Sequence, residues 1–175
     1  VDHLDYRLEK ARDFAFAETM HLHEAGDIVL ALKKATGYLG ADVVIDAVGA
    51  EADGSVVQHV TAAKLKLQGG SPVAVNWAID SVRKGGTVSI LGAYGPLVTS
   101  VRLGDIMNKG LTVRGNQAPV KRQWPRLLEH IQAGHIRPSE LLTHRFPLEH
   151  IAEAYHVFSS KLDDCIKPLI VVGEE

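Results

Sequence analysis

Short, almost continuously apolar segments alternate along most of this chain with segments whose apolar residues recur at helical spacing. Residues 41–49 are the clearest apolar segment: they are rich in β-branched side chains and end at Gly49. Residues 87–92 have the same character, and the helical pattern of residues 72–84 lies between them. Strands that are buried on both faces of a parallel sheet are apolar in this continuous way. The alternation therefore predicts β-α-β units and an α/β fold with a parallel sheet.

The alternation continues on both sides of this region. Further helices are predicted at residues 5–14, 28–35 and 103–109, and further strands at residues 15–20 and 111–116. Asp27 is predicted to cap the second of these helices, and Gly85 and Gly86 to end the helix that begins at Pro72. In open parallel sheets, ligands bind at the carboxyl ends of the strands. Four residues follow such ends and mark a candidate site: Asp2, Gly49, Gly92 and Asn116.

The pattern changes beyond Pro119. Amphipathic helices are predicted at residues 123–133 and 148–160, and strands at residues 141–146 and 167–172. We therefore divide the chain into residues 1–118 and residues 119–175, and expect the second part to form a separate layer.

The charge balance excludes several kinds of partner. The 175 residues include 19 Lys and Arg and 21 Asp and Glu, which is too nearly neutral for a general nucleic-acid binder. No stretch approaches the ~20 apolar residues that span a bilayer. The single cysteine, Cys165, cannot form an internal disulfide or a structural zinc site alone, and it favours a reducing cytoplasm. We expect it to be buried and inert, the alternative being a reactive thiol.

Several motifs carry a family resemblance. They are, in order, YRLEKA at 6–11, GADVVIDAVG at 40–49, VRKGGTVSILG at 82–92, FPLEHIAEAY at 146–155 and CIKPLI at 165–170. In this order and spacing the chain resembles the medium-chain dehydrogenase/reductase superfamily. Within it, the chain looks most like the zinc-dependent alcohol dehydrogenases related to formaldehyde and threonine dehydrogenases.

The resemblance implies a Rossmann-type doubly wound parallel sheet that lacks its first strand, followed by a C-terminal α+β segment that returns to the catalytic domain. The chain contains no G-x-G-x-x-G turn, which such proteins place about 20 residues before the acidic end of their second strand. In the strand order 3-2-1-4-5-6 the first strand is central, so its two neighbours would keep unpaired edges. We expect a fragment that is inactive alone, with residues 1–118 as a partial NAD-binding domain.

The resemblance gives Asp2 the position of the acidic residue at the end of the second strand. A carboxylate there accepts hydrogen bonds from both ribose hydroxyls of an adenosine and repels a 2′-phosphate, which favours NAD over NADP. The structural alternative is that Asp2 only caps the next helix. Arg7, in that helix, would approach the adenine, or else be a solvated surface arginine.

Other coenzyme contacts are implied in three turns and one late strand. The turn residues are Ala47, Val48 and Gly49 for the adenosine and its ribose, Leu91, Gly92 and Ala93 for the nicotinamide ribose and carboxamide, and Asn116 for the carboxamide. Gly49 and Gly92 would let the backbone approach the coenzyme, where a Cβ would collide with it. The alternative is that each glycine merely ends a strand. Lys167 would reach the pyrophosphate, or else be a surface lysine.

The nine histidines do not have the spacing of a metal site. His21 and His23 would share one face of a strand but lack a third ligand, and His130 and His135 do not share a helical face. The resemblance places the zinc ligands in an N-terminal domain outside this chain, so we expect neither metal ligands nor catalytic residues here.

These features imply the coenzyme-binding portion of a zinc-dependent alcohol dehydrogenase that transfers hydride between an alcohol or aldehyde and NAD. The alternatives are a non-catalytic nucleotide-binding or oligomerisation module, and a zinc-independent quinone oxidoreductase. The implied partners are a small alcohol or aldehyde and copies of the same chain, in a homodimer or homotetramer joined through residues 111–116. Neither nucleic acid nor a membrane is expected, and the expected location is the cytoplasm.

Overall fold

The computed structural model of the chain describes residues 1–48, 72–94 and 100–173. It separates into two compact units: unit 1 is Val1–Ala25 together with Val120–Glu175, and unit 2 is Gly26–Pro119. Unit 1 therefore joins the first 25 residues to the C-terminal segment, whereas the sequence groups them with the residues that follow. The division into a coenzyme domain and a C-terminal layer stays a prediction.

From residue 28 onward, the described helices and strands alternate as the sequence predicts. The helices are α1 (Asp5–Ala15), α2 (Ile28–Ala35), α3 (Val73–Ser81), α4 (Leu103–Lys109), α5 (Val120–Gln132) and α6 (Ile151–Ser159). The strands are β1 (Ala41–Asp46), β2 (Val82–Ile90), β3 (Thr112–Gly115), β4 (His144–Pro147) and β5 (Pro168–Val171). Short 3-10 helices cover Pro138–Leu141 and Leu148–His150. The cap of α2 is confirmed, because the Asp27 carboxylate accepts a hydrogen bond from the Leu30 N–H at 3.0 Å.

The described strands of unit 2 form a parallel sheet in the order β1-β2-β3. Ile79 in α3 and Val88 in β2 are fully buried, and they pack in one cluster with Val75, Ala78 and Val82. The helix α3 thus covers the middle strand of the sheet. The predicted parallel sheet is confirmed.

Lys109 holds the C-terminal end of α3. Its Nζ donates hydrogen bonds to the carbonyl oxygens of Ile79, Asp80 and Val82 at 2.6, 3.1 and 3.0 Å. The last carbonyl groups of a helix lack partners within the helix, and a cation there also suits the helix dipole. Burial lowers the pKa of Lys109, and the positive charge of Lys33 lowers it further. This contact ties α4 to α3.

The strand β1 is more exposed than its apolar sequence predicts. Val43 is 55% exposed and Ile45 is 60% exposed, although the continuous apolar run favours burial on both faces. The reason is that β1 lies at the edge of the sheet and, within the described ranges, pairs only with β2. This open edge is where the resemblance places the first Rossmann strand.

The prediction that Gly85 and Gly86 end a helix is wrong. The helix α3 already ends at Ser81, and β2 follows directly, so both glycines lie within the strand. A Cβ on Gly86 would lie 2.9 Å from the carbonyl oxygen of Asp42 in β1, and the register between the two strands shifts in this region. Gly86 thus allows a close approach of two strands, which is a tertiary requirement.

The strand predicted at residues 15–20 is also not formed. The helix α1 extends to Ala15 and is followed by Phe16 in the left-handed region, with a φ of 51°. Instead of a strand, this region contributes His21 to an isolated parallel bridge with Asp2. Because α1 begins three residues after Asp2, the bridge does not lengthen into a ladder.

In unit 1, β4 and β5 form a parallel pair, and α6 connects them along the chain. Cys165 precedes β5 and is 1% exposed, which confirms that it is buried. The helix α5 has an exposed apolar face, formed by Val120, Trp124, Leu127, Leu128 and Ile131. Among the described residues, no helix combines the length and the apolar character needed to cross a membrane.

Candidate functional site

The carboxyl ends of β1 and β2 in unit 2 are joined by backbone hydrogen bonds. The N–H groups of Leu91 and Gly92 both donate to the carbonyl oxygen of Asp46, at 2.8 and 2.9 Å, and the N–H of Ala93 donates to that of Val48 at 3.2 Å. The structure therefore brings together two of the turns that the sequence predicts to contact a coenzyme. Ala47, Val48, Leu91 and Ala93 are all exposed.

Asn116 lies at the same end of the sheet. It directly follows Gly115, which pairs with Ile90 in β2, and it is exposed. Gly49, predicted for the same site, lies outside the described residues. The described part of this site is thus a row of exposed backbone at the carboxyl edge of the sheet, where parallel sheets bind ligands.

A buried carboxylate supports this edge. Asp46 is 4% exposed at the end of β1, and its Oδ2 accepts a hydrogen bond from the Tyr94 hydroxyl at 2.5 Å. Its Oδ1 accepts the N–H of Val48 at 3.1 Å. A buried carboxylate needs such partners, since an unpaired one is costly. The pair is not predictable from a local sequence pattern, because Asp46 and Tyr94 are 48 positions apart in the chain.

Burial raises the pKa of Tyr94, and the hydrogen bond to Asp46 and the negative charge of that carboxylate raise it further. The backbone N–H of Val75, in the first turn of α3, opposes this with a hydrogen bond that lowers the pKa. The phenol therefore stays protonated to a higher pH than a tyrosine in an unfolded chain, whose pKa is about 10.

We predict an alkaline loss of stability that depends on Tyr94. Because its pKa is raised in the folded state, its contribution is fully present below about pH 10 and is lost as the pH rises from there through the folded-state pKa. Urea unfolding between pH 8 and 11 should show this loss, and Tyr94→Phe should reduce it. Tyr38, which is 66% exposed, provides the control Tyr38→Phe. An equal alkaline loss in Tyr94→Phe would contradict the prediction.

Gly92 is glycine for a reason within the chain itself. A Cβ at this position would lie 2.7 Å from the carbonyl oxygen of Val48 and 3.0 Å from Oδ2 of Asp46. The reason that the family resemblance implies for this glycine is that a Cβ would collide with the coenzyme. The structure adds an internal cause: the two turns approach too closely for any side chain at Gly92.

Asp2 and Arg7 lie together in unit 1. Oδ1 of Asp2 accepts the backbone N–H of His3 at 2.7 Å and that of Leu4 at 3.1 Å, while its Oδ2 lies 3.8 Å from the Arg7 guanidinium. The carboxylate thus shapes the turn before α1, although the N-cap residue is Leu4 and no side chain caps the helix. One oxygen is used by the turn, and the other faces Arg7.

An open cavity in unit 1 extends from Arg7. It has a volume of about 410 Å³ and is lined by Arg7, Lys10, Ala11, Phe14, Ala15, Leu141, Phe158 and Ile166. Lys167, the predicted pyrophosphate ligand, is exposed just before β5, and its Nζ lies 5.5 Å from the centre of the Phe158 ring. Phe158 is therefore shared by the cavity beside Arg7 and by Lys167.

The histidines are arranged differently from the prediction. The centre of the His23 ring lies 5.7 Å from that of His21 and 5.9 Å from that of His3, because the bridge at Asp2 places the two segments side by side. His130 and His135 also meet, with their Nδ1 atoms 3.3 Å apart, because α5 ends before His135. Even so, within the described ranges, no group of His, Cys, Asp or Glu is arranged to hold a metal ion.

Proteins similar to this chain in sequence include alcohol dehydrogenases and alcohol dehydrogenase-like proteins. The zinc-type alcohol dehydrogenase-like protein AdhB of Bacillus subtilis, itself uncharacterized, is 39% identical over 170 residues, which are 97% of this chain and 44% of AdhB. An alcohol dehydrogenase of Cupriavidus necator is 27% identical over 174 residues, covering 95% of this chain and 40% of its own length. The chain matches no protein-family model. It spans less than half the length of these relatives.

Solved structures agree. Alcohol dehydrogenase TADH of Thermus sp. ATN1 is 27% identical with a TM-score of 0.75, and the match covers 98% of this chain and 44% of that one. Zinc-dependent alcohol dehydrogenase 2 of Streptococcus pneumonia is 25% identical with a TM-score of 0.76, covering 100% of this chain and 44% of that one. These likenesses confirm the predicted Rossmann-type α/β fold class.

Proposed function

We propose that this chain, a relative of the zinc-type alcohol dehydrogenases, is the coenzyme-binding portion of an enzyme that transfers hydride between an alcohol or aldehyde and NAD. The observation that carries the proposal is the backbone turn at Leu91–Gly92–Ala93, whose first and last residues are exposed at the carboxyl edge of a parallel sheet. Open parallel sheets bind their ligands at this edge. The proposed hydride transfer is the reaction implied by the similarity to alcohol dehydrogenases.

Each unit, taken by itself, contains residues suited to part of a nucleotide coenzyme. In unit 2, the N–H groups of Leu91, Gly92 and Ala93 are used within the chain. The turn after β2, together with Asn116, therefore offers backbone carbonyl groups to the nucleotide. In unit 1, Oδ2 of Asp2 is the acceptor for a ribose hydroxyl, and Arg7 and Lys167 are cations suited to adenine and phosphate. When bound, the nicotinamide ring supplies or accepts the hydride. The role of this chain is to hold and orient that ring.

Zinc does not fit the residues of this chain that the structure describes, since none of their His, Cys, Asp and Glu groups is arranged for a metal ion. We therefore place the zinc ligands outside these residues and assign no step of the reaction to a metal here. We assign no substrate-binding or proton-transfer role to the described residues.

The edge strand β3 favours a second candidate role, an oligomerisation module. β3 pairs with β2 on one side, and its four residues are all exposed. An exposed edge of this kind is a template for a strand from another chain. Joining two copies through β3 would extend the sheet across a twofold axis in a homodimer or a homotetramer.

The dehydrogenase role is separated from a non-catalytic nucleotide-binding role and from quinone reduction by measurements on the natural full-length protein. We expect NADH to bind more tightly than NADPH in a fluorescence titration, zinc to be present by elemental analysis, and alcohol to reduce NAD to NADH. NADH binding without zinc or alcohol oxidation would instead indicate a nucleotide-binding module. Preference for NADPH together with quinone reduction would indicate a zinc-independent quinone oxidoreductase. Failure to bind either coenzyme would overturn the proposal.

A further inference from the structure

The hydrogen-bonded pair formed by the buried Asp46 and the half-buried Tyr94 connects the two turns of the candidate site. The backbone carbonyl of Asp46 accepts the N–H groups of Leu91 and Gly92, and its side chain accepts the Tyr94 hydroxyl and the N–H of Val48. A single residue, 4% exposed, therefore contacts both turns through four hydrogen bonds. Any movement of Asp46 would displace both.

Tyr94 closes this arrangement from the other side. Tyr94 follows Ala93 in the chain. The hydrogen bond from its hydroxyl to Asp46 therefore ties the end of the turn to the last residue of β1. Its ring lies against Gly92, where Cε2 would be 2.9 Å from a Cβ. The segment from Leu91 to Tyr94 is thus fixed at its start by backbone bonds and at its end by a side-chain bond.

The chemistry of the pair suits a positioning role. A hydrogen bond to a charged group is stronger than one between neutral groups, and more so where water is excluded. The hydrogen bond to Asp46 restricts the rotation of the Tyr94 side chain. The other residues of the turn, at positions 91–93, are small or exposed. A turn that is fixed before its ligand arrives does not lose conformational freedom when it binds.

We propose that Asp46 and Tyr94 are a positioning pair, which holds the turn at residues 91–93 in the conformation that receives the coenzyme and thereby raises the affinity for NAD. The inference rests on the proposed function. Neither residue is assigned a contact with the coenzyme, and the pair acts only through the turn.

The test is Tyr94→Phe in the natural full-length protein, because this change removes the hydroxyl and keeps the ring against Gly92. We expect the Kd for NADH and the KM for NAD to rise about fivefold, the size of one lost hydrogen bond, with the KM for the alcohol unchanged. Tyr38→Phe, at an exposed tyrosine, is the matched control and should leave both constants unchanged.

A second variant, Asp46→Asn, keeps one acceptor oxygen and removes the charge, and it should also weaken NADH binding. If Tyr94→Phe does not fold, this variant carries the test. The inference is overturned if either variant is folded and binds NADH within twofold of the unmodified protein, even if its urea midpoint falls, because the pair would then serve stability alone. If the unmodified protein binds no NADH, the proposed function has failed instead.

Discussion

Changing Asp2 to asparagine is expected to weaken NADH binding about tenfold and to strengthen NADPH binding by a similar factor, so that the selectivity of the full-length protein changes by about two orders of magnitude. Oδ1 of Asp2 accepts the N–H groups of His3 and Leu4, and an asparagine keeps an amide oxygen for them. The turn before α1 is therefore preserved. What is lost is the negative charge that faces Arg7 at 3.8 Å.

Two physical effects act in the same direction in this variant. A ribose hydroxyl that donates to a carboxylate forms a charge-assisted hydrogen bond, which becomes weaker with a neutral acceptor. The 2′-phosphate of NADP, which a carboxylate repels, would meet a neutral amide and the guanidinium of Arg7 instead. The first effect lowers the affinity for NADH, and the second raises the affinity for NADPH.

The matched control is Asp5→Asn. Asp5 lies three residues from Asp2, and its side chain is 94% exposed, so its replacement changes the net charge by the same amount without touching the turn. Fluorescence titrations with NADH and NADPH at pH 8 would measure both variants. Equal selectivity in Asp2→Asn and the unmodified protein, or an equal change in Asp5→Asn, would show that Asp2 does not contact the ribose.

Local patterns were sufficient to predict much of the fold. Residues 103–109 form the helix α4 with the predicted bounds, and Asp27 caps α2 as predicted, because each depends on neighbours within one or two helical turns. The parallel sheet also follows from the pattern, since strands buried by flanking helices need apolar residues throughout. Each of these features depends on residues that are close together in the sequence.

The failures come from contacts between distant segments. Gly85 and Gly86 have the composition of a helix end, yet they lie within β2. Glycine is needed at position 86 because a Cβ there would meet the backbone of β1. The exposure of Val43 and Ile45 depends on which strands neighbour β1, and a pattern within one strand cannot show that. For the same reason, the ring of His3 beside that of His23 could not be predicted.

The candidate site shows the same division. The turn residues were predicted from glycines at strand ends and from a family resemblance, and the structure brings the turns after β1 and β2 together. The buried carboxylate that supports them was not predicted. An aspartate within an otherwise apolar strand, as at Asp46, is the available signal, because a charge in that position requires partners.

Gly92 provides the second large effect. Replacing it by alanine would place a Cβ 2.7 Å from the carbonyl oxygen of Val48, 2.9 Å from Cε2 of Tyr94 and 3.0 Å from Oδ2 of Asp46. Two of these three atoms are held by hydrogen bonds in the turn or beside it. We expect Gly92→Ala to lower the free energy of unfolding by about 1–3 kcal/mol, as overpacking does, and to weaken NADH binding.

Gly104→Ala is the matched control, because Gly104 lies in α4 and a Cβ there would have no heavy atom within 4 Å. Alanine favours a helix over glycine, so this variant should be as stable as the unmodified protein or more stable. Urea unfolding without coenzyme, followed by NADH titration, separates the two reasons for glycine at position 92. If only the coenzyme requires it, Gly92→Ala unfolds at the original urea concentration and loses affinity alone. A fall in both the urea midpoint and the affinity for NADH would show that the close approach of the two turns requires glycine before any ligand is bound.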